Sequence, residues 1–232
     1  MEQFLTPAFL TAVFQIILID ILLGGDNAIL IAMACRNLPL AQRTKGIIWG
    51  TVGAIVLRVI LIFFALKLLT IPYLKIVGAF LLLWIGIKLL VGEDDGDHEV
   101  NASDRLLGAI KTIIVADLVM SIDNVIGIAG AAEGAGPGHQ LPLVIFGLLV
   151  SVPIIVWGST IVLKLIDRFP WVVTGGAALL GWIAGDMFYT DQAIKNFGVV
   201  YSTAAHYAFK VGGAILVVAV GMWLKSRRIA EN

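Results

Sequence analysis

The chain has 232 residues, 59% of them hydrophobic and 14% charged, with 16 Lys+Arg against 16 Asp+Glu. That even balance lacks the basic surplus with which proteins grip nucleic acid, so no nucleic-acid partner is expected. The lone cysteine, Cys35, excludes an intramolecular disulfide and a thiolate metal cluster within one chain.

The apolar residues fall in runs of about 20, the length that crosses roughly 30 Å of hydrocarbon as a helix. The expected fold is therefore an all-α polytopic membrane protein. Seven spans are predicted, at Pro7–Cys35, Gly46–Leu69, Tyr73–Val91, Leu107–Ala132, Leu141–Leu165, Trp171–Tyr189 and Ala204–Leu224. Arg36-Asn37-Leu38-Pro39 ends the first, and Ile71-Pro72 divides the second from the third. The polar stretch Gly92–Arg105 precedes the fourth, Gly134-Ala135-Gly136-Pro137-Gly138 follows it, and Arg168-Phe169-Pro170 precedes the sixth. No cleavable signal peptide is expected, because Glu2 replaces a basic leader and the first apolar run contains acidic residues.

Lysine and arginine set the expected orientation. One set of span ends carries Arg36, Arg43, Lys45, Lys88, Arg105, Lys111, Lys164, Arg168, Lys225, Arg227 and Arg228. The other carries Lys67, Lys75 and Lys195. The positive-inside rule puts the first set in the cytoplasm, the N-terminus outside and the C-terminus inside.

Within the first and fourth spans stands a duplicated acidic signature. Asp20-Ile-Leu-Leu-Gly-Gly-Asp26-Asn27 matches Asp117-Leu-Val-Met-Ser-Ile-Asp123-Asn124. An aspartate at the bilayer centre costs about 2.5–3.5 kcal/mol, so such residues mark ion or proton paths. Gly78 and Trp84 in span three also match Gly176 and Trp182 in span six at nearly the same offset. Residues 7–91 and 107–189 then read as two copies of a three-helix unit, joined by an acidic linker at 92–106 and followed by an extra helix at 204–224. An odd number of helices per unit inverts the second copy, and inverted repeats place substrate near the midplane between halves.

Residues seven apart share a helix face, so Asp20 aligns with Asn27; residues six apart do not. Gly24-Gly25 is a credible place for the helix to open and free the carbonyls of Leu23 and Gly24, and Ser121 takes the matching place in the second copy. The expected cage is Asp20, Asp26, Asn27, Asp117, Asp123 and Asn124. An all-oxygen cage selects hard divalent cations, Mn²⁺, Mg²⁺ or Ca²⁺. Zinc or copper would call for Cys35 or a histidine beside the aspartates, whereas His98, His139 and His206 fall in loops or at a span end. Four ionised carboxylates around one divalent ion leave a net charge of about −2 in a dry place, so metal and protons are expected to compete for the cage.

At these residues, and in Ala28-Ile-Leu-Ile-Ala-Met-Ala-Cys-Arg-Asn-Leu-Pro39, the chain resembles the TerC family of integral membrane proteins and its YjbE-type branch. The resemblance covers nearly the whole chain. It implies a relation to the LysE-type transporters, Mn²⁺ efflux across the bacterial inner membrane, and metal-site roles for the six residues of the cage.

Other residues leave alternatives open. Arg58, in mid-span, pairs with an acidic residue and locks or tunes the site, or it bonds carbonyls; its counterpart in the second half is near Ile155. Asp186 is an interfacial charge or an exit-side ligand, and Lys210 is expected to snorkel outward. Glu93-Asp94-Asp95-Gly96-Asp97-His98-Glu99 reads as a solvated linker or a cation antenna. Gly46, Gly50, Gly53, Gly181 and Gly185 suit close helix packing or hinges. Trp171 and Trp223 suit an interfacial belt. The expected function is a transporter, not an enzyme, with a divalent metal and the lipid bilayer as partners and a homo-oligomer left open. A metal-delivery accessory for secreted enzymes would use the same cage. An intramembrane aspartyl protease would need one dyad rather than two signatures each ending in asparagine.

Overall fold

A computed structural model describes residues 11, 14, 18, 25–68, 71–92, 102–133, 140–196 and 202–231, with backbone alone at 62–63, 65–68, 102, 123, 125–133, 140–144, 195–196 and 229–231. Every regular element among them is a helix, because in lipid each backbone polar group must find its partner within the segment. In chain order these are α1 (Gly25–Cys35), α2 (Leu40–Leu68), α3 (Leu74–Val91), α4 (Ala102–Glu133), α5 (Gln140–Arg168), α6 (Trp171–Thr190), α7 (Gln192–Asn196) and α8 (Thr203–Glu231). Five of them, α2, α3, α5, α6 and α8, are long and apolar enough to cross a membrane. The helix α4 is longer still, at 32 residues, and carries Asp117 and Asp123 in its apolar stretch.

The predicted breaks fall where proline and glycine put them. Pro39 opens α2, and its carbonyl accepts the N–H groups of Gln42 and Arg43. Gly92, at φ 88°, ends α3 in a conformation that only glycine adopts freely, and its N–H bonds to the Lys88 carbonyl. Several helices overrun the apolar spans: α2 starts six residues before Gly46, and α8 continues past Leu224 to Glu231. Hydropathy marks the hydrocarbon, whereas helical hydrogen bonding persists through the interface.

Two apolar clusters form the core. One joins Ile31, Ile47, Ile113, Ile155, Ile166 and Val217 with their neighbours. The other joins Leu30, Leu82, Ala116, Met120, Leu180 and Met187. Glycines set the approach between helices. Gly50 and Gly53 of α2 face Ile113 and Ile114 of α4, so a methyl group there would collide with those side chains. Gly181 and Gly185 of α6 lie against the backbone of Gly213 and Phe209 in α8. These glycines are packing surfaces, one of the two expected roles. An open apolar groove of about 370 Å³ runs between α3, α6 and α8.

The two ends of the bundle differ in charge. At one end, Arg36, Asn37, Lys88 and Arg105 share one cleft, and Arg36, Asn37 and Lys225 line a cavity of about 250 Å³. Burial pulls the Arg36 guanidinium below its usual pKa. Arg43 fastens the turn there, donating to the Arg36 and Leu38 carbonyls and pairing with Asp167 at 2.6 Å. Trp171 and Trp223 are exposed at this end, with Arg227 over the Trp223 ring.

The other end is held by a residue the sequence did not single out. Asp191 is fully buried between α6 and α7. Its Oδ1 accepts the N–H groups of Tyr73 (3.0 Å) and Ala193 (2.6 Å), and its Oδ2 those of Lys75 (3.0 Å) and Ile76 (3.3 Å). One carboxylate thus caps α3, where Tyr73 sits at φ 68°, and opens α7, a short helix that hydropathy had not shown. Asp191→Ala strands these donors and is expected to lower stability in detergent by about 2–3 kcal/mol, with Asp191→Asn intermediate. Thermal unfolding of the solubilised variants measures it, and an unchanged midpoint in both would show that the cap is redundant.

Lys210 departs from its expected outward reach. Its Nζ lies 2.8 Å from Asp186 Oδ1 and over the rings of Trp182 and Tyr207. His206, stacked on Tyr189, contacts the same oxygen. An acidic partner and two ring faces at one helix–helix contact outcompete solvation for the ammonium. The Asp186 carboxylate is therefore engaged by two basic side chains.

Candidate metal-binding and ion-pair site

The site is built on α1, α2 and α4. Positions 117, 121 and 124 are spaced by four and three residues, so Asp117, Ser121 and Asn124 share one face of α4, which runs unbroken through the signature. All three are buried. The neighbours Ala116, Val119 and Met120 point into the apolar cluster shared with α3 and α6. That packing fixes the rotation of α4 and turns Asp117 towards α2.

There it meets Arg58. Arg58 Nη2 lies 2.6 Å from Asp117 Oδ1, and Arg58 Nε donates to Ser121 Oγ at 3.1 Å. Ser121 Oγ in turn donates to Asp117 Oδ2 at 3.1 Å. Both carboxylate oxygens are thus occupied, one by a guanidinium and one by a hydroxyl. Arg58 is 3% exposed and Asp117 4%. Of the two roles the sequence allowed for Arg58, the structure shows pairing with a signature aspartate. Its counterpart position, Ile155, is part of the apolar core.

Asp26 enters from α1. It is half-buried, and the charges of Arg58 and Asp117 act on it. Its Oδ1 also accepts the Asn27 N–H at 2.8 Å at the start of α1. Asn27 is 2% exposed, and neither its Oδ1 nor its Nδ2 has a hydrogen-bond partner. A buried carboxamide with both ends unpaired is costly, and such groups call for an explanation. Thr51 Oγ1 in α2 is buried and unpaired as well. Thr51 was not predicted; its position seven residues before Arg58, hence on the same helix face, was the available signal.

The structure does not describe the whole cage. Asp20, Leu23 and Gly24 lie outside the described residues, as do the side chain of Asp123, the glycine turn at 134–138, His98, His139 and the acidic stretch at 93–99. Among the described residues, no three His, Cys, Asp or Glu side chains cluster as a metal site. What is brought together is Asp117, Arg58 and Ser121, with Asp26 in their electrostatic field and Asn27 beside Asp26 in sequence. Among the described residues, Asp26, Asp117 and Ser121 offer oxygen donors there.

Comparison with known proteins agrees with this architecture. The membrane protein YjbE of Bacillus subtilis (strain 168) is 41% identical over 195 residues, which cover 84% of this chain and 87% of YjbE. YkoY of the same organism is 22% identical over 88% of this chain and 68% of its own length. The inner membrane protein YgdQ of Escherichia coli (strain K12) is 24% identical over 67% of this chain and 70% of its own. No solved structure matches. Residues 5–229 match the integral membrane protein TerC family, so the chain belongs to the TerC family of integral membrane proteins.

Proposed function

We propose that this protein is a secondary transporter that exports a divalent cation, with Mn²⁺ as the favoured substrate, across the bacterial inner membrane. The observation that carries the reading is the buried Asp117 of one copy of the signature, whose charge acts on the half-buried Asp26 of the other. The unpaired carboxamide of Asn27 adds oxygen-donor capacity beside them, and hard cations favour such a donor set. The six cage residues Asp20, Asp26, Asn27, Asp117, Asp123 and Asn124 would hold the ion in transit, with protons competing for the carboxylates.

The cross-packing of the two halves supports seven spans arranged as an inverted repeat. Gly78 of α3 faces Val119 of α4, while its sequence counterpart Gly176 of α6 faces Ile29 and Met33 of α1. Each third helix thus rests on the signature helix of the other copy. The gathering of Arg36, Lys88, Arg105 and Lys225 at one end supports a cytoplasmic location for that end and an external N-terminus.

The test is flux of Mn²⁺, Ca²⁺ and Mg²⁺ in proteoliposomes, wild type against Asp123→Asn. Wild type is expected to move Mn²⁺ with counter-movement of protons, and the variant to lose at least about tenfold in rate, the effect of about 1.4 kcal/mol at one ligand. Full Mn²⁺ flux in Asp123→Asn would remove that residue from the cage. Metal binding without flux in wild type would favour the delivery role instead.

A further inference from the structure

We infer that Arg58 is a tethered counter-cation that exchanges with the transported metal on Asp117. The inference rests on the metal reading of the site and adds to it a part that the acidic signature does not contain. A divalent ion bound at Asp117 competes for a carboxylate that already carries Arg58 Nη2 on Oδ1 at 2.6 Å and Ser121 Oγ on Oδ2 at 3.1 Å. Arg58 Nε holds that same hydroxyl at 3.1 Å, so guanidinium, hydroxyl and carboxylate form a closed ring. Turning Asp117 to a metal therefore draws it away from Arg58, and Ser121, which holds both, is loosened at the same moment. The fork of the guanidinium suits this grip, and its charge persists at any working pH.

The charges of the neighbours make the exchange directional. Asp26 feels both Arg58 and Asp117. A metal ion between Asp26 and Asp117 would stand beside the guanidinium and repel it, while attracting both carboxylates. With the metal gone, Arg58 supplies the positive charge that a buried Asp117 needs. A carrier must return across the membrane without its substrate, and bare carboxylates in a dry place oppose that step. Arg58 lowers that cost at Asp117 and leaves the exchanged protons to the other carboxylates. The first half of the repeat provides the arginine, and the second half has Ile155 at the matching place.

A resident cation of this kind must weaken metal binding. A lock closed about nine-tenths of the time reduces apparent affinity about tenfold. The experiment uses the purified full chain in detergent with Mn²⁺ as the probe. Binding is measured by calorimetry and by the metal-dependent rise in unfolding temperature, for wild type, Arg58→Gln and Arg58→Lys. Arg58→Gln is expected to bind Mn²⁺ about tenfold more tightly and to gain more thermal stability from it than wild type does. In proteoliposomes the ratio of net efflux to Mn²⁺/Mn²⁺ exchange is expected to fall in the variant, because only net efflux needs the metal-free return. Equal or weaker binding by Arg58→Gln, or an unchanged flux ratio, overturns the inference and leaves the metal reading standing. Absence of Mn²⁺, Ca²⁺ and Mg²⁺ binding in wild type overturns both. Should the Gln variant fail to fold, Arg58→Lys decides: its compact ammonium loses the two-pronged grip, and tighter binding than wild type is again the required result.

Discussion

Asp117→Ala is expected to lower the stability of the solubilised protein by about 3–5 kcal/mol, because it leaves the Arg58 guanidinium buried without its carboxylate. The pair is almost wholly enclosed, so water cannot take the place of the lost partner. The double variant Arg58→Met/Asp117→Leu removes both charges and fills similar volume, and it is expected to recover most of that loss. Mn²⁺ flux is expected to be lost in both. Denaturation of the two proteins together with proteoliposome flux separates the structural share of Asp117 from its functional share. A single-variant cost below about 1 kcal/mol would mean that the other contacts of the guanidinium suffice to hold it.

Gly185→Leu is expected to be the most damaging change outside the site. A side chain at Gly185 would enter the space of the Phe209 carbonyl and the Lys210 backbone, and Gly213 is pressed in the same way against Gly181. The obstacle is backbone, which cannot turn aside as a side chain does. Overpacking of this kind costs about 1–3 kcal/mol and more where nothing yields, so α8 should separate from α6. That separation would also break the contact of Lys210 with Asp186. Gly212→Ala is the control: a methyl group there meets nothing within 4 Å, and the helix gains propensity. A lower unfolding temperature and a broadened size-exclusion peak for Gly185→Leu, with neither change for Gly212→Ala, are the expected readings. Equal behaviour of the two would show that the α6–α8 contact contributes little to stability.

Much of the architecture is written locally. The breaks at Arg36–Pro39, Ile71-Pro72 and Arg168–Pro170 separate helices in the structure as their proline chemistry requires. The glycines at 50, 53, 181 and 185 stand at close helix contacts. The signature in α4 likewise announces a polar face, because Asp117 and Asn124 are seven apart on one helix. Lys210 and Asp191 were not legible in the same way. Hydropathy gives Lys210 a depth but not a neighbour, and the neighbour turned out to be Asp186 on another helix. Asp191 follows directly after α6 and looks like an ordinary interfacial acid, yet its carboxylate reaches the first turn of α3, more than a hundred residues earlier.

By itself, the sequence determined that the chain is helical and membrane-spanning, where the helices break, which polar residues lie within the apolar runs, and the family. These follow from residue-by-residue terms: transfer to lipid, proline and glycine backbone limits, and the spacing of side chains around one helix. The tertiary structure decided that Arg58 holds Asp117, that Asp26 shares their field, that Asn27 is buried unpaired, and that Asp191 joins two distant helix ends. Those outcomes depend on how α1, α2, α4 and α6 rotate and cross. Rotation and crossing are set by the packing of many small and apolar side chains at once, which no single segment encodes.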